Sequence, residues 1–431
     1  MRPLPDAAVD RVTPTSAATT KGASMRVLVT SSRNTFALDL IRKLGSVGHT
    51  VFASDTYDGA VGNHSRFLAG HLATPSPRFE TDAFIAAVSD YVEKHDIDLI
   101  IPTFEEVFYL AARVADLPSG VRLFSGTFAD LARLHDKASF QRLAQDAGVP
   151  IPETVVVTSP EELRTAIDSF PRYFARAAFS RGGVGLLTNT GPLAGKIPVE
   201  ECVPTPEQPW LVQPFVDGPM VCTYSVVVDG KVQAHTTYKA AEQWAHSTAI
   251  AFIAVDSTDT LRYTQQIVDT LDPGFTGQIS FDFVDHGTEA APDYKIIECN
   301  PRPTNGVILL EAEDVSKAIQ GELTEPVVAI PGTERQITLA VLADAFTEPL
   351  KHLPKTLHDL LHVRDVGAGW WDGAAMLWSP ATIVHGAKIS HGDRKEILAA
   401  LGDDIVWNGE PIEGMSDADA EALEAVHAGR A

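Results

Sequence analysis

The chain has 431 residues, with 34 lysines and arginines against 57 aspartates and glutamates and a formal net charge of −23. At 45% hydrophobic and 21% charged it has the composition of a globular protein, not a disordered one. No run approaches the ~18 unbroken apolar residues of a membrane-spanning helix, and the acidity argues against wrapping nucleic acid, so neither a membrane nor a nucleic acid is an expected partner.

At roughly 150 residues per domain the length predicts about three domains. A small phosphorylated ligand stays compatible with the charge, because one pocket needs only a few converging cations. Cys202, Cys222 and Cys299 are too few and too scattered for a disulfide scaffold or a zinc cage, which suits a reducing cytoplasm.

Met1–Ser24 is rich in Ala, Thr, Pro and Ser without periodicity and reads as a disordered leader; Met25 directly precedes the first strand-like run, so either Met1 or Met25 can be the start. From there strands and helices alternate. Val27–Thr30, Val51–Asp55 and Leu99–Pro102 are short apolar runs, and helical spacing runs through Phe36–Leu44, Phe84–Lys94 and Val107–Val114. Such alternation predicts a parallel, Rossmann-like α/β layer over residues 25–125, with a ligand edge at the strand C-termini. The first turn, Ser31–Thr35, lacks the Gly-x-Gly-x-x-Gly of a dinucleotide site.

Phe128–Ala147 reads as two short helices around His135-Asp136-Lys137, stopped by Gly148-Val149-Pro150. An α+β region follows. Its strands are Thr154–Thr158, Tyr173–Arg176, Trp210–Phe215, Thr223–Val228, Gln278–Val284 and Tyr294–Cys299, and Pro160–Phe170 is a helix capped by Ser159. Asp229-Gly230 and Asp285-His286-Gly287 are turn signals between antiparallel strands. Glu322–Arg335 reads as a boundary, followed by an apolar element near Gln336–Ala345 and a Gly/Trp-rich stretch at Gly367–Trp378.

Tyr294–Asn305 is the most informative segment. Alternation puts Ile297 and Cys299 on one face and Glu298 and Asn300 on the other, so a carboxylate and an amide oxygen project together. If Gln278–Val284 pairs with this strand, Asp282 can face Glu298. Two carboxylates and Asn300 then describe a magnesium–nucleotide site, against the plainer reading of solvated acids at strand ends. The glycine loop Ser180-Arg181-Gly182-Gly183-Val184-Gly185 lets backbone N–H groups approach phosphate oxygens, although alone it reads equally as a hairpin turn. Lys137 and Arg176 are the cations at hand.

The order of these elements resembles the ATP-grasp superfamily: Asp136-Lys137, then Gly148-Val149-Pro150, the glycine loop, Leu211-Val212-Gln213-Pro214-Phe215-Val216-Asp217-Gly218, Phe281-Asp282-Phe283 and Glu298-Cys299-Asn300-Pro301-Arg302. It is most similar to the branch containing biotin carboxylase, the carbamoyl phosphate synthetase large subunit and carboxylate–amine ligases, over roughly Met25 to Glu322. The resemblance implies a pre-ATP-grasp domain at 25–125, an ATP-grasp domain with antiparallel sheets at 126–325 (lid subdomain about 150–218) and a smaller α+β part at 326–431. It also implies that Lys137 and Arg176 contact phosphates and that Ser180, Arg181, Gly182, Gly183 and Gly185 belong to a flap. Gln213, Pro214, Phe215 and Val216 would hold adenine. Asp282, Glu298 and Asn300 would bind one or two Mg2+, with Mn2+ as a substitute, and Arg302 would steady an acyl-phosphate. Three departures stand out: Arg176 replaces the usual lysine, Gln213 a usual glutamate, and Thr223 a common acidic residue.

The implied activity is that of an ATP-dependent ligase. A carboxylate becomes an acyl-phosphate, ADP and phosphate are released, and an amine is joined in small-molecule biosynthesis. A carboxylase or carbamoyl-phosphate-type enzyme using bicarbonate, and a nucleotide-sensing protein without turnover, are the alternatives. Substrate selectors expected from the residues are Glu105 and Glu106, for a cationic amine, with Lys239, Asn305 and Gly306; His235, Tyr238, His246, Trp370, Trp371 and Trp378 are further pocket candidates. The expected partners are a small carboxylate and amine, and a homodimer is admissible.

Overall fold

The computed structural model describes residues 24–179, 185–244, 248–288, 291–336, 364–365, 372, 373, 375, 378 and 402–429, the side chains of 242–250 and 364–365 excepted. Most of the expected leader therefore lies outside the described residues. So do Ser180, Arg181, Gly182 and Gly183, along with His246, Trp370, Trp371 and most of Gln336–Ala345 and Gly367–Trp378.

The first layer contains β1 (Arg26–Val29), α1 (Thr35–Ser46), β2 (Thr50–Asp55), β3 (Leu68–Ala73), α2 (Thr81–Lys94), β4 (Leu99–Ile101), α3 (Glu106–Ala112) and β5 (Arg122–Leu123). The strands form a parallel sheet in the order β3-β2-β1-β4-β5. Its central strands are apolar on both faces because helices cover both: Val27 and Val29 face one core, Leu28 the other. Edge strand β3 alternates between half-buried and exposed residues, so its apolar run was too weak to read in the sequence.

Helices α4 (Phe128–His135) and α5 (Lys137–Asp146) meet at Asp136, whose carboxylate accepts the N–H of Ser139 at 2.6 Å and so caps α5. Next comes a small antiparallel sheet, in the order β6-β9-β7-β8. It is made of β6 (Val155–Val157), β7 (Tyr173–Ala177), β8 (Leu186–Thr188) and β9 (Trp210–Pro214), and α6 (Pro160–Asp168) packs on it. Ser159 caps α6 as expected, and Glu162 reaches back past the cap to accept the N–H of Thr158 at 2.7 Å.

The large sheet runs β14-β13-β10-β11-β12-β16-β17, with β15 beside β11. It comprises β10 (Met220–Val228), β11 (Lys231–Trp244), β12 (Thr248–Ala254), β13 (Gly277–Asp285), β14 (Tyr294–Asn300), β15 (Val327–Val328), β16 (Glu334–Gln336) and β17 (Arg364–Asp365). At the β10–β11 turn Asp229 and Gly230 both take positive φ, 48° and 70°, the backbone of a tight hairpin. Helix α7 (Thr258–Val268) lies against β11, and α8 (Ala312–Gln320) packs against α1 and β10. Val307, Ile308 and Leu309, in a 3-10 turn after β14, share one core with β1 and α1, which joins the first layer to the large sheet.

The described tail adds to existing cores rather than forming one alone. Trp407, Ile412, Leu423 and Val426 enter the core of β1, α2 and α3, and α9 (Asp417–His427) packs on α4. Asp404 bridges to Arg33 at 2.8 Å, and Asp372 pairs with Arg42 at 2.8 Å. The β1–α1 turn is thus closed by a carboxylate of the chain itself: Arg33 also grips Asp55 at 2.6 Å.

Candidate active site

β13 and β14 pair antiparallel with Asp282 directly opposite Glu298, and Ser280 opposite Asn300. Asn300 Nδ2 lies 3.4 Å from Asp282 Oδ2, and Arg302 Nη2 donates to Asn300 Oδ1 at 3.0 Å. Arg302 stacks over the Phe104 ring, 4.5 Å from its centroid. Phe104 follows β4 in the first layer, so the site lies where the two layers meet.

One expectation needs correction. Simple alternation puts Ile297 and Cys299 on one face, yet Cys299 is in the core with Ile296, and Ile297 is half-buried. The register shifts between Asp282 and Phe283, because Phe283 pairs with Ile296 and Asp282 with Glu298. Ile297 is therefore the extra residue of a β-bulge.

Two cations converge on Glu298. Arg176, on β7, donates Nη1 to its Oε2 at 2.6 Å and Nη2 to the Ile297 carbonyl at 2.6 Å. Lys137, the first residue of α5, places Nζ 3.9 Å from the same oxygen. Burial opposes ionisation of Glu298, but Lys137 and Arg176 outweigh it and hold the carboxyl down at about 2. Burial, reinforced by the negative charge of Glu298, pushes Asp282 up to about 7. Burial likewise lowers the Lys137 ammonium to about 8, against the pull of Glu298.

On β9, Gln213 is buried and donates Nε2 to Thr154 Oγ1 at 2.8 Å, with Gln141 Oε1 at 3.5 Å. Pro214, Phe215 and Val216 emerge half-buried at the end of this strand, and Arg172 lies 4.8 Å from the Phe215 centroid. Gly185 takes φ +70 with open space where a Cβ would stand.

Other expected residues fall elsewhere. Thr223 is fully buried and its hydroxyl accepts the N–H of Phe281 at 3.0 Å. Cys222, one residue earlier, is the register partner of Asp282 on one side and of Tyr238 on the other. Alternation from Thr223, the position expected at the site, sends Cys222 to the opposite face, so the sequence carries no signal for Cys222 as a neighbour of Asp282. Glu105 and Glu106 were expected to face an amine, but each is 1% exposed and bound to the chain itself. Glu105 Oε2 accepts the Trp407 N–H at 2.9 Å, and Glu106 Oε1 accepts the Thr103 N–H at 2.9 Å.

Lys239 follows Tyr238 on β11, so it projects to the opposite face, where it meets Asp285 at 3.4 Å. His235 is a core residue, bonded to Ser225 at 2.8 Å and to Thr260 at 3.1 Å. Trp378 is exposed and stacks on His64 with centroids 4.1 Å apart. Asn305 and Gly306 open the 3-10 turn after Arg302. A Cβ on Gly306 would come within 2.5 Å of Tyr224 Cβ and 2.9 Å of the Tyr238 ring, so only glycine allows this approach.

No protein-family model matches the sequence, and no curated protein is similar to it in sequence. Solved structures are similar in fold. N5-carboxyaminoimidazole synthetase from Staphylococcus aureus, complexed with ADP, has a TM-score of 0.57 at 12% identity, covering 76% of this chain and 87% of that one. The biotin carboxylase domain of 2-oxoglutarate carboxylase from Hydrogenobacter thermophilus, in complex with MgADP and bicarbonate, gives 0.54 at 15% identity over 72% and 73%. Phosphoribosylamine–glycine ligase from Thermotoga maritima gives 0.52 at 15% identity over 72% and 78%. The parallel layer and the two antiparallel sheets match the fold of these solved structures, which is the ATP-grasp fold.

Proposed function

We propose that the chain is an ATP-dependent ligase that activates a carboxylate as an acyl-phosphate and joins it to an amine, with release of ADP and phosphate. The observation that carries this reading is the half-buried, directly opposed pair Asp282–Glu298, flanked by Asn300 and Arg302 on one side and by Lys137 and Arg176 on the other.

Asp282 and Glu298 are two half-buried carboxylates held opposite one another, and partial burial with the Glu298 charge holds Asp282 above the usual carboxylate range, an environment that a divalent cation would relieve. Asp282, Glu298 and Asn300 are hard oxygen donors that would hold Mg2+, with Mn2+ as a substitute, and the cation supplies neutralisation of phosphate charge. The remaining work falls to the chain's own groups. Lys137 and Arg176 hold the phosphates of ATP; because Arg176 forks between Glu298 and the Ile297 carbonyl, an incoming phosphate competes for it. Pro214–Val216 offer backbone to the base beside Gln213; the resemblance assigns the flap to Ser180–Gly185, of which residues 180–184 lie outside the described residues.

The substrate carboxylate attacks the γ-phosphorus, its oxygen forming the new P–O bond while ADP departs. Arg302, stacked on Phe104, faces the developing negative charge of the acyl-phosphate. The amine then attacks the carbonyl carbon, loses a proton and expels phosphate. Activation is required because a carboxylate is a poor electrophile, and enclosure between the lid and the large sheet keeps water from the intermediate. The assignment of residues 25–125, 126–325 and 326–431 to pre-ATP-grasp, ATP-grasp and C-terminal parts, and a cytoplasmic location, belong to the same proposal.

The test is incubation with ATP, Mg2+ and pools of carboxylates and amines while ADP is measured. ADP release that needs both an acid and an amine is expected, and Glu298→Ala should abolish it. Release with bicarbonate alone would favour the carboxylase reading, and ATP binding without release in any mixture would sink both.

A further inference from the structure

Among the described residues β14 is the outer strand of the large sheet, and no described strand pairs with its far side. Partners come from elsewhere: the Ile296 N–H donates to Pro150 O at 2.9 Å. Gln141, on α5 and 2% exposed, donates Nε2 to the Ile296 carbonyl at 3.2 Å and to the Ile297 carbonyl at 3.0 Å. Arg176 shares that Ile297 carbonyl.

The bulge decides where Glu298 points. Tyr294 and Ile296 face the core, and uninterrupted alternation would send Glu298 into the same apolar interior. The extra residue Ile297 reverses the sense, so Glu298 comes to lie opposite Asp282 while Cys299 returns to the core. A bulge leaves carbonyls off the ladder, and each must find a donor or pay for desolvation.

We propose that Gln141 is a positioning residue for this site: its amide holds the bulge at Ile296–Ile297 in the shape that presents Glu298 to Asp282 and keeps the Ile297 carbonyl in place for Arg176. This rests on the reading of Asp282, Glu298 and Asn300 as cation ligands. Outer partners that orient ligands typically govern metal affinity by ~10–100-fold. The other end of the same amide lies 3.5 Å from Gln213, which ties the bulge to the lid strand β9.

The experiment measures binding of Mn2+ alone to the full chain, by its electron paramagnetic resonance signal, together with ATP binding in the absence of metal. Wild type is compared with Gln141→Leu, similar in size but without donors, after the melt of the variant shows it folded; Gln141→Asn, too short to span both carbonyls, replaces it if it is not. The expected result is a weakening of Mn2+ binding by threefold or more, with metal-free ATP binding changed less than threefold. A change in Mn2+ binding below threefold overturns the proposal, and so does an equal loss of metal-free ATP binding, which would mark general damage to the fold. Glu298→Ala separates the two levels. If it keeps wild-type Mn2+ binding, the ligand assignment fails. If it loses binding and Gln141→Leu does not, only the role of Gln141 fails.

Discussion

Asp282 and Glu298 face each other across adjacent strands, yet their surroundings push them in opposite directions, Asp282 above and Glu298 below the usual carboxylate range. The asymmetry follows from position: Lys137 and Arg176 converge on Glu298 alone, so Asp282 experiences burial and its neighbour's charge.

Because Asp282 has its folded-state pKa raised, it weakens the fold as pH climbs from about 4 toward 7: the unfolded chain releases that proton first. Asp282→Asn removes the effect. We expect a higher melting temperature than wild type at pH 8, a difference that shrinks toward pH 4, and loss of ADP formation. Thermal melts across that range check the sign, and a variant less stable at pH 8 would contradict it.

His235 contributes in the opposite sense of pH. Burial lowers it from 6.5 to about 3, so it stays neutral in the fold while the unfolded chain takes up a proton. Its share of stability is intact above pH 6.5 and declines by about 1.4 kcal/mol per unit as pH falls toward 3. Denaturant melts of His235→Gln should show a shallower loss between pH 6 and 4 than wild type. An unchanged slope would remove His235 from the account.

Gly306→Ala should push the 3-10 turn away from Tyr224 and Tyr238, with Arg302 four residues upstream. Overpacking of this kind costs about 1–3 kcal/mol. The expected outcome is a lower melting temperature and a raised KM for the carboxylate substrate, with KM for ATP altered less. Equal effects on both would place the turn outside the acid subsite.

Trp407 is fully buried, stacks on Phe108 at 4.5 Å and gives its N–H to Glu105. Trp407→Ala should cost about 3–5 kcal/mol and lower the transition of the first layer itself. A calorimetric trace in which that transition stays put would show that the tail melts independently.

Much of the site was legible in Asp136-Lys137, Phe281-Asp282-Phe283 and Glu298-Cys299-Asn300-Pro301-Arg302, because strand alternation and chemical type suffice to group oxygen donors and cations. The elements missed include half-exposed β3, two-residue β5 and β8 beyond the glycine loop, whose local signals are weak, but also the longer β11, β12, α7, α8 and α9. Gln141 carried no signal, since a glutamine within a helix reads as surface until its partners are known. Glu105 and Glu106 look available from sequence because the partners that hold them, Trp407 for Glu105 and Thr30 with Thr103 for Glu106, are set by the tertiary structure.

The −23 charge and the order of motifs determined by themselves an acidic, layered α/β chain, and with it the expectation of a cation-lined site for a polyanion. Tertiary structure alone decided which carboxylates are accessible and which are bound to the chain itself. It also decided that a bulge turns Glu298 outward and that the described tail completes the first core. Local pattern sets the period of side chains along an element, whereas register shifts and long-range burial depend on partners distant in sequence.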